Sequence, residues 1–155
     1  MCELRWARKY LVVVLALICL SARGVWAADW SCFVEAGRQY GVSPLLLYAI
    51  AVHESGMNPG AVNVNRNGTY DYGLMQVNTS WYRELGHERW MCLGDPCYNV
   101  YVAAWILSRC VARHGYNWNA VGCYHSSNPK YAQRYVKSIQ GIVRKLMRHH
   151  GRIGG

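Results

Sequence analysis

From residue 28 onward, apolar side chains return every three or four positions, in stretches separated by glycine, proline and asparagine. That spacing is the mark of helices with one face turned to a core. It predicts a first helix over residues 31–40, stopped by Gly41, and a second over 44–55. The second carries its own punctuation: Ser43 as N-cap, Pro44 at the first helical position and Gly56 as the stop. Residues 56–78 lose the periodicity and fill with polar residues, among them Asn63, Asn65, Asn67 and Gly68, which predicts turns or a small irregular hairpin. A short helix is expected over 80–85. Asp95-Pro96 repeats the cap-and-proline device and opens a long helix to His114, closed by Gly115. Residues 118–124 read as a short apolar helix, and Asn128-Pro129 opens a last one reaching about residue 148. The expected product is a mainly α single domain over 28–148, with one long polar loop region and a loose basic tail over 149–155.

The residues before that domain have a different character. Arg5, Arg8 and Lys9 form a basic start, residues 10–20 are an apolar stretch, and Val25-Trp26-Ala27 places small residues at the outer positions of a cleavage site. This is the pattern of a secretory signal peptide over residues 1–27, and the stretch is too short to span a bilayer comfortably. The reading implies a periplasmic protein with no stable membrane span after cleavage.

Glu54 is the only acid in the second helix. It lies four residues after Ile50 and seven after Leu47, so at helical spacing it points the way they do, toward the core. Burial and the negative end of the helix dipole both raise the pKa of a carboxyl so placed. A carboxylic acid that keeps its proton at neutral pH is a proton donor. The competing reading is a glutamate that reaches back to solvent from a helix end.

Charge and cysteine content narrow the setting. Residues 28–155 carry 13 basic and seven acidic side chains, a net of +6, and no Asp or Glu follows Asp95. Such a one-signed half attracts polyanions: nucleic acid, anionic lipid or the peptide carboxylates of peptidoglycan. Export argues against nucleic acid as a substrate. Cys32, Cys92, Cys97, Cys110 and Cys123 enter an oxidising compartment where disulfides form, and their odd number leaves one over. No metal site or other cofactor is expected: Cys92 and Cys97 have no second ligand pair at matching spacing, and His53-Glu54 cannot open a zinc-protease motif because Met57 stands where the second histidine belongs. Seven tryptophans and twelve tyrosines exceed what a core this size needs, and some suit a groove for the flat apolar faces of sugars.

Downstream of the polar loop come Tyr70-Asp71-Tyr72-Gly73-Leu74-Met75-Gln76-Val77-Asn78. Together with Glu54-Ser55 and the later Tyr124, this set resembles the lysozyme-like lytic transglycosylases of the SLT domain type, most closely the small specialised ones of type III and type IV secretion systems. The resemblance covers residues 32 to about 140, in the family's order: Cys32-Phe33, Asp95-Pro96-Cys97, then Trp118-Asn119-Ala120-Val121-Gly122. It implies a lysozyme-like fold and cleavage of the bond between N-acetylmuramic acid and N-acetylglucosamine, closing a 1,6-anhydro ring. Glu54 takes the catalytic position in that scheme, and Ser55 orients the acid and the N-acetyl group. Gly73, Met75, Gln76 and Asn78 form the sugar site, with Gln76 and Asn78 hydrogen-bonding the sugar and Met75 either packing on it or filling the core. Tyr124 reaches the glutamate from the opposite helix, with plain packing as its other reading. The implied partners are peptidoglycan glycan strands and a secretion or conjugation machinery protein, with the basic last helix as its docking place. Family habit suggests a Cys32–Cys97 disulfide; Cys110 with Cys123, on consecutive helices, is the second guess, leaving Cys92.

Two departures keep alternatives open. Many relatives carry Ala-Tyr-Asn-Ala-Gly where this chain has Cys123-Tyr124-His125-Ser126-Ser127. Asp71 falls 17 residues after Glu54, where animal-type lysozymes place a second carboxylate. A muramidase using Glu54, Asp71 and water therefore stands beside the transglycosylase, with Asp71 as a turn or loop cap as the plain reading. A catalytically silent glycan-binding subunit is the third.

Overall fold

The computed structural model describes residues 28–153, so the expected leader over 1–27 lies outside the described residues. Helix α1 runs Trp30–Tyr40 and ends on Gly41 in the left-handed conformation, φ 66°. Helix α2, Pro44–Ser55, starts where the Ser43 side chain accepts from the Leu46 N–H and stops at Gly56, φ 62°. The polar region then builds a three-stranded antiparallel sheet in the order β1 (Val62–Val64), β2 (Tyr70–Tyr72), β3 (Val77–Asn78). Its register pairs Asn63 with Asp71 and Asp71 with Asn78, which sets these three side chains in a row on one face.

A 3₁₀ turn, Thr79–Trp81, leads into α3, Tyr82–Met91, which is broken at Gly86, where φ 76° and ψ 166° leave the helical region. The expected short helix over 80–85 therefore stops where it was read to stop, but the chain resumes a helical path beyond it. A second 3₁₀ turn, Cys92–Gly94, precedes α4, Pro96–His114, whose N-cap Asp95 accepts from the Tyr98 N–H. Helix α5, Trp118–His125, is capped by Asn117. Helix α6 runs Pro129–Ile153. Its span reaches into the stretch expected as a tail, and Ile142, Val143 and Leu146 pack on the core.

The fold is mainly α and lysozyme-like. Helix α4 is its axis, buried through Val100, Ala103, Ala104 and Leu107 and flanked by α1 and α5; α6 packs on α2 and α5. Phe33, Leu47, Ile50, Leu74 and Ile139 have no exposed surface. Two disulfides tie the layers together: Cys32–Cys97 joins α1 to the head of α4 with 5.3 Å between Cα atoms, and Cys110–Cys123 joins α4 to α5 with 5.8 Å. Cys92 is free and exposed. No helix among the described residues is long and apolar enough to cross a membrane.

Candidate active site

The end of α2, the polar face of the sheet and the end of α5 enclose an open groove of about 1340 Å³, lined among others by Glu54, Asp71, Gln76, Asn78, Tyr124 and His125. Glu54 occupies the last turn of α2, directly before its final residue. The carboxyl is half-buried, and its pKa is pushed up to about 7. Burial is the main cause and the Asp71 charge adds a little, while the hydrogen bond from the Tyr135 hydroxyl to Glu54 Oε1, 2.7 Å, pulls the other way. A phenol donor favours the carboxylate, whereas a dry surrounding favours the acid. Here the dry surrounding wins, and the group is left poised to give and to take a proton near neutrality.

That tyrosine was not singled out in the sequence. Tyr124, which was expected to reach the glutamate, instead donates to the Met75 carbonyl oxygen at 2.9 Å. The turn before β3 leaves this carbonyl in the interior, and a buried acceptor needs a donor. Tyr135 comes from α6 and is 3% exposed. Its position four residues before the buried Ile139 gives it the signature of an ordinary core residue, so nothing in the spacing marks it.

Asp71 is neither a turn residue nor a loop cap. It sits in the middle of β2, and side-chain amides hold its carboxylate: Asn78 Nδ2 donates to Oδ1 at 2.6 Å, and Asn65 and Asn63 donate to Oδ2 at 2.9 and 3.4 Å. The asparagines of the polar loop thus form a cradle for a negative charge on the groove. Asn78 has its nitrogen on Asp71 and on the Thr69 hydroxyl, and its oxygen accepts from the Ser80 N–H, so its hydrogen-bonding groups serve the protein.

The Gly73-Leu74-Met75-Gln76 segment is a tight turn. Gly73 has φ 80°, and a Cβ there would lie 2.3 Å from Asn99 Nδ2. Asn99, also absent from the sequence reading, is fully buried; its oxygen accepts from the Met75 N–H at 2.8 Å and its nitrogen donates to the Tyr72 and Leu93 carbonyls. Met75 has no exposed surface and belongs to the core, so of its two readings the structure takes core filling over sugar contact. Gln76, at φ 51°, lines the groove with its nitrogen donating to the Gly73 and Ala61 carbonyls. Ser55 Oγ donates to the Leu74 carbonyl at 2.7 Å and accepts from the Asn58 N–H, so it stitches the end of α2 to this turn and does not orient the acid directly.

A family model, the transglycosylase SLT domain, matches residues 31–140. The chain belongs to that family. Glu54, Asp71, Asn99, Tyr124 and Tyr135 all fall inside the matched segment of the SLT domain. Relatives extend the likeness over most of the length. The protein is similar to protein IpgF of Shigella flexneri, 40% identical over 76% of this chain and 80% of that one. It is similar to the invasion protein IagB of Salmonella typhimurium, 40% identical over 88% of this chain and 87% of the relative. The X polypeptide of Escherichia coli is 37% identical over 73% of this SLT protein and 68% of its own length.

Proposed function

We propose that this SLT protein is an exported, periplasmic lytic transglycosylase that cleaves the bond between N-acetylmuramic acid and N-acetylglucosamine in peptidoglycan and leaves a 1,6-anhydro end. The observation that carries the reading is the half-buried Glu54 carboxyl, raised to about 7 at the wall of an open groove. Its proton passes to the glycosidic oxygen as the bond to C1 breaks and positive charge builds on the sugar ring. The Asp71 carboxylate, cradled in the same groove, offers a fixed negative charge to that cation. The Glu54 carboxylate, held in the interval by the Tyr135 hydroxyl, then takes the proton from the sugar's own 6-hydroxyl, and that oxygen bonds C1. The proton returns to Glu54 and no water is consumed.

Asp71 in the groove favours one second reading, a muramidase in which water ends the reaction. Mass spectrometry of digested sacculi separates the two, because anhydro ends support the transglycosylase and reducing ends support the muramidase. Glu54→Gln is expected to abolish release of soluble muropeptides while sacculus binding persists. Release at the unaltered rate removes Glu54 from the mechanism, and binding without release by the unaltered protein leaves a glycan-binding subunit.

In the cell this activity opens the wall locally for a secretion or conjugation apparatus, a reading supported by the relative named as an invasion protein. Lys130, Arg134, Lys137, Arg144, Lys145 and Arg148 lie exposed along α6, while α2 and α5, on which it packs, offer Glu54 as their only carboxyl. This helix is our choice for docking an acidic partner of that apparatus.

A further inference from the structure

Tyr135 owes its place on Glu54 to its neighbours. Its ring is contacted by three others from two elements. The His125 imidazole lies parallel to it, 4.6 Å between centroids and 2° between planes, the Tyr124 ring stacks at 6.4 Å, and the His53 ring meets it edge-on at 5.1 Å. His53 and Tyr124 are held by what they are part of: His53 precedes Glu54 on α2, and Tyr124 is anchored by its bond to the Met75 carbonyl. His125 differs. It ends α5, one face on Tyr135 and the rest open to the groove, and no hydrogen bond of its ring is found among the described residues. The proposed cleavage gives this residue no task.

We propose that His125 is a positioning residue: its imidazole is the plate that presses the Tyr135 phenol onto the Glu54 carboxyl, and so sets where in the pH range Glu54 gives up its proton. The idea rests on the proposed acid role of Glu54 for its kinetic consequences, though not for its geometry. A phenol turns about two torsions, and the hydroxyl stays at hydrogen-bond distance only while the ring is confined. Stacked planar rings confine it by contact area, not by charge. The groups facing this cluster are His53 and Glu54 from α2, Asp71 from β2, Tyr124 and His125 from α5, and Tyr135 itself from α6. Burial holds both histidines below the usual imidazole range, with the two rings also disfavouring each other's charge at His125. Asp71 pulls the other way at His125 but does not reverse the shift, so the neutral ring is favoured and replacing His125 by an uncharged residue acts through contact more than through charge.

The direction of the effect follows from Tyr135 favouring the carboxylate. Loosening that bond lets burial act unopposed, so Glu54 holds its proton to higher pH. For His125→Ala we expect the alkaline limb of muropeptide release to move up by about 0.5 to 1 pH unit, and kcat at pH 6 to fall several-fold with KM little changed. The carboxyl carbon shift of Glu54, followed by NMR, is expected to move with the limb. His125→Phe keeps a plate of similar area and is expected to restore the position of the midpoint. In a Tyr135→Phe background, where the hydroxyl is gone, His125→Ala is expected to shift the midpoint no further. A midpoint unchanged in His125→Ala overturns the proposal, as does an equal shift in His125→Phe or an undiminished shift in the Tyr135→Phe background. The NMR titration needs no turnover, so it decides the plate even for a protein that releases no muropeptides, a result that would count against the proposed function alone.

Discussion

At the scale of single residues the site is a contest over one proton. Burial raises the Glu54 pKa from 4.5 to about 7 against the pull of the Tyr135 hydroxyl, and the outcome has a cost in stability. Below pH 4.5 the glutamate is protonated in both folded and unfolded chains. Between 4.5 and 7 the unfolded chain ionises while the folded one retains its proton, so stability present at low pH is lost as the pH rises through the folded value. Above 7 the loss is complete, on the order of 3 kcal/mol. Glu54→Gln keeps an oxygen for Tyr135 and removes the titration. We therefore expect it to stabilise the protein against urea by ~2 to 3 kcal/mol at pH 8 and by nearly nothing at pH 4. Equal effects at both pH values would show that Glu54 is not buried at a cost. Because the acid form is the donor, release of muropeptides is expected to fall tenfold per pH unit above about 7 in the unaltered protein; a rate that stays flat to pH 9 contradicts that role.

At the scale of elements the decisive joint is the turn between β2 and β3, pinned by Asn99 from α4. Gly73→Ala places a Cβ against the Asn99 amide and forces an L side chain to φ 80°, for which we expect ~2 to 4 kcal/mol of destabilisation by urea midpoint. Gly41→Ala, at φ 66° with nothing within 4 Å, serves as the comparison and is expected to cost about 1 to 2 kcal/mol. Equal costs at the two glycines would remove the Asn99 contact from the account. The caps, prolines and stops that bound α2 and α4, and the Asn128-Pro129 start of α6, are local signals, and they were legible in the chain. So was the placement of Glu54, since one helical period decides it. The sheet was read only as an irregular hairpin because its strands are two or three residues long and carry too few positions to alternate. Asn99 and Tyr135 were invisible for another reason: each acts across more than 20 residues of sequence, and the spacing around each reads as plain core. Met75 stayed open between core and sugar, because a motif position says nothing of which way its side chain turns.

At the scale of the whole molecule, the fold is a clamp that keeps one carboxyl dry beside a wet groove. The disulfides hold the helical side of that clamp. Cys32–Cys97 closes a span of 65 residues and Cys110–Cys123 one of 13, so in the chain-entropy account their loss costs about 4 and about 3 kcal/mol respectively. Serine pairs at each bridge are expected to lower the thermal midpoint in that order, and an unchanged midpoint for the Cys32 and Cys97 pair would mean that the bridge constrains nothing. All of these features serve the ionisation of Glu54, and the most direct test is its carboxyl titration by carbon-13 NMR in the folded protein. A midpoint near 7 is expected. A midpoint near 4.5, that of an ordinary glutamate, would contradict it.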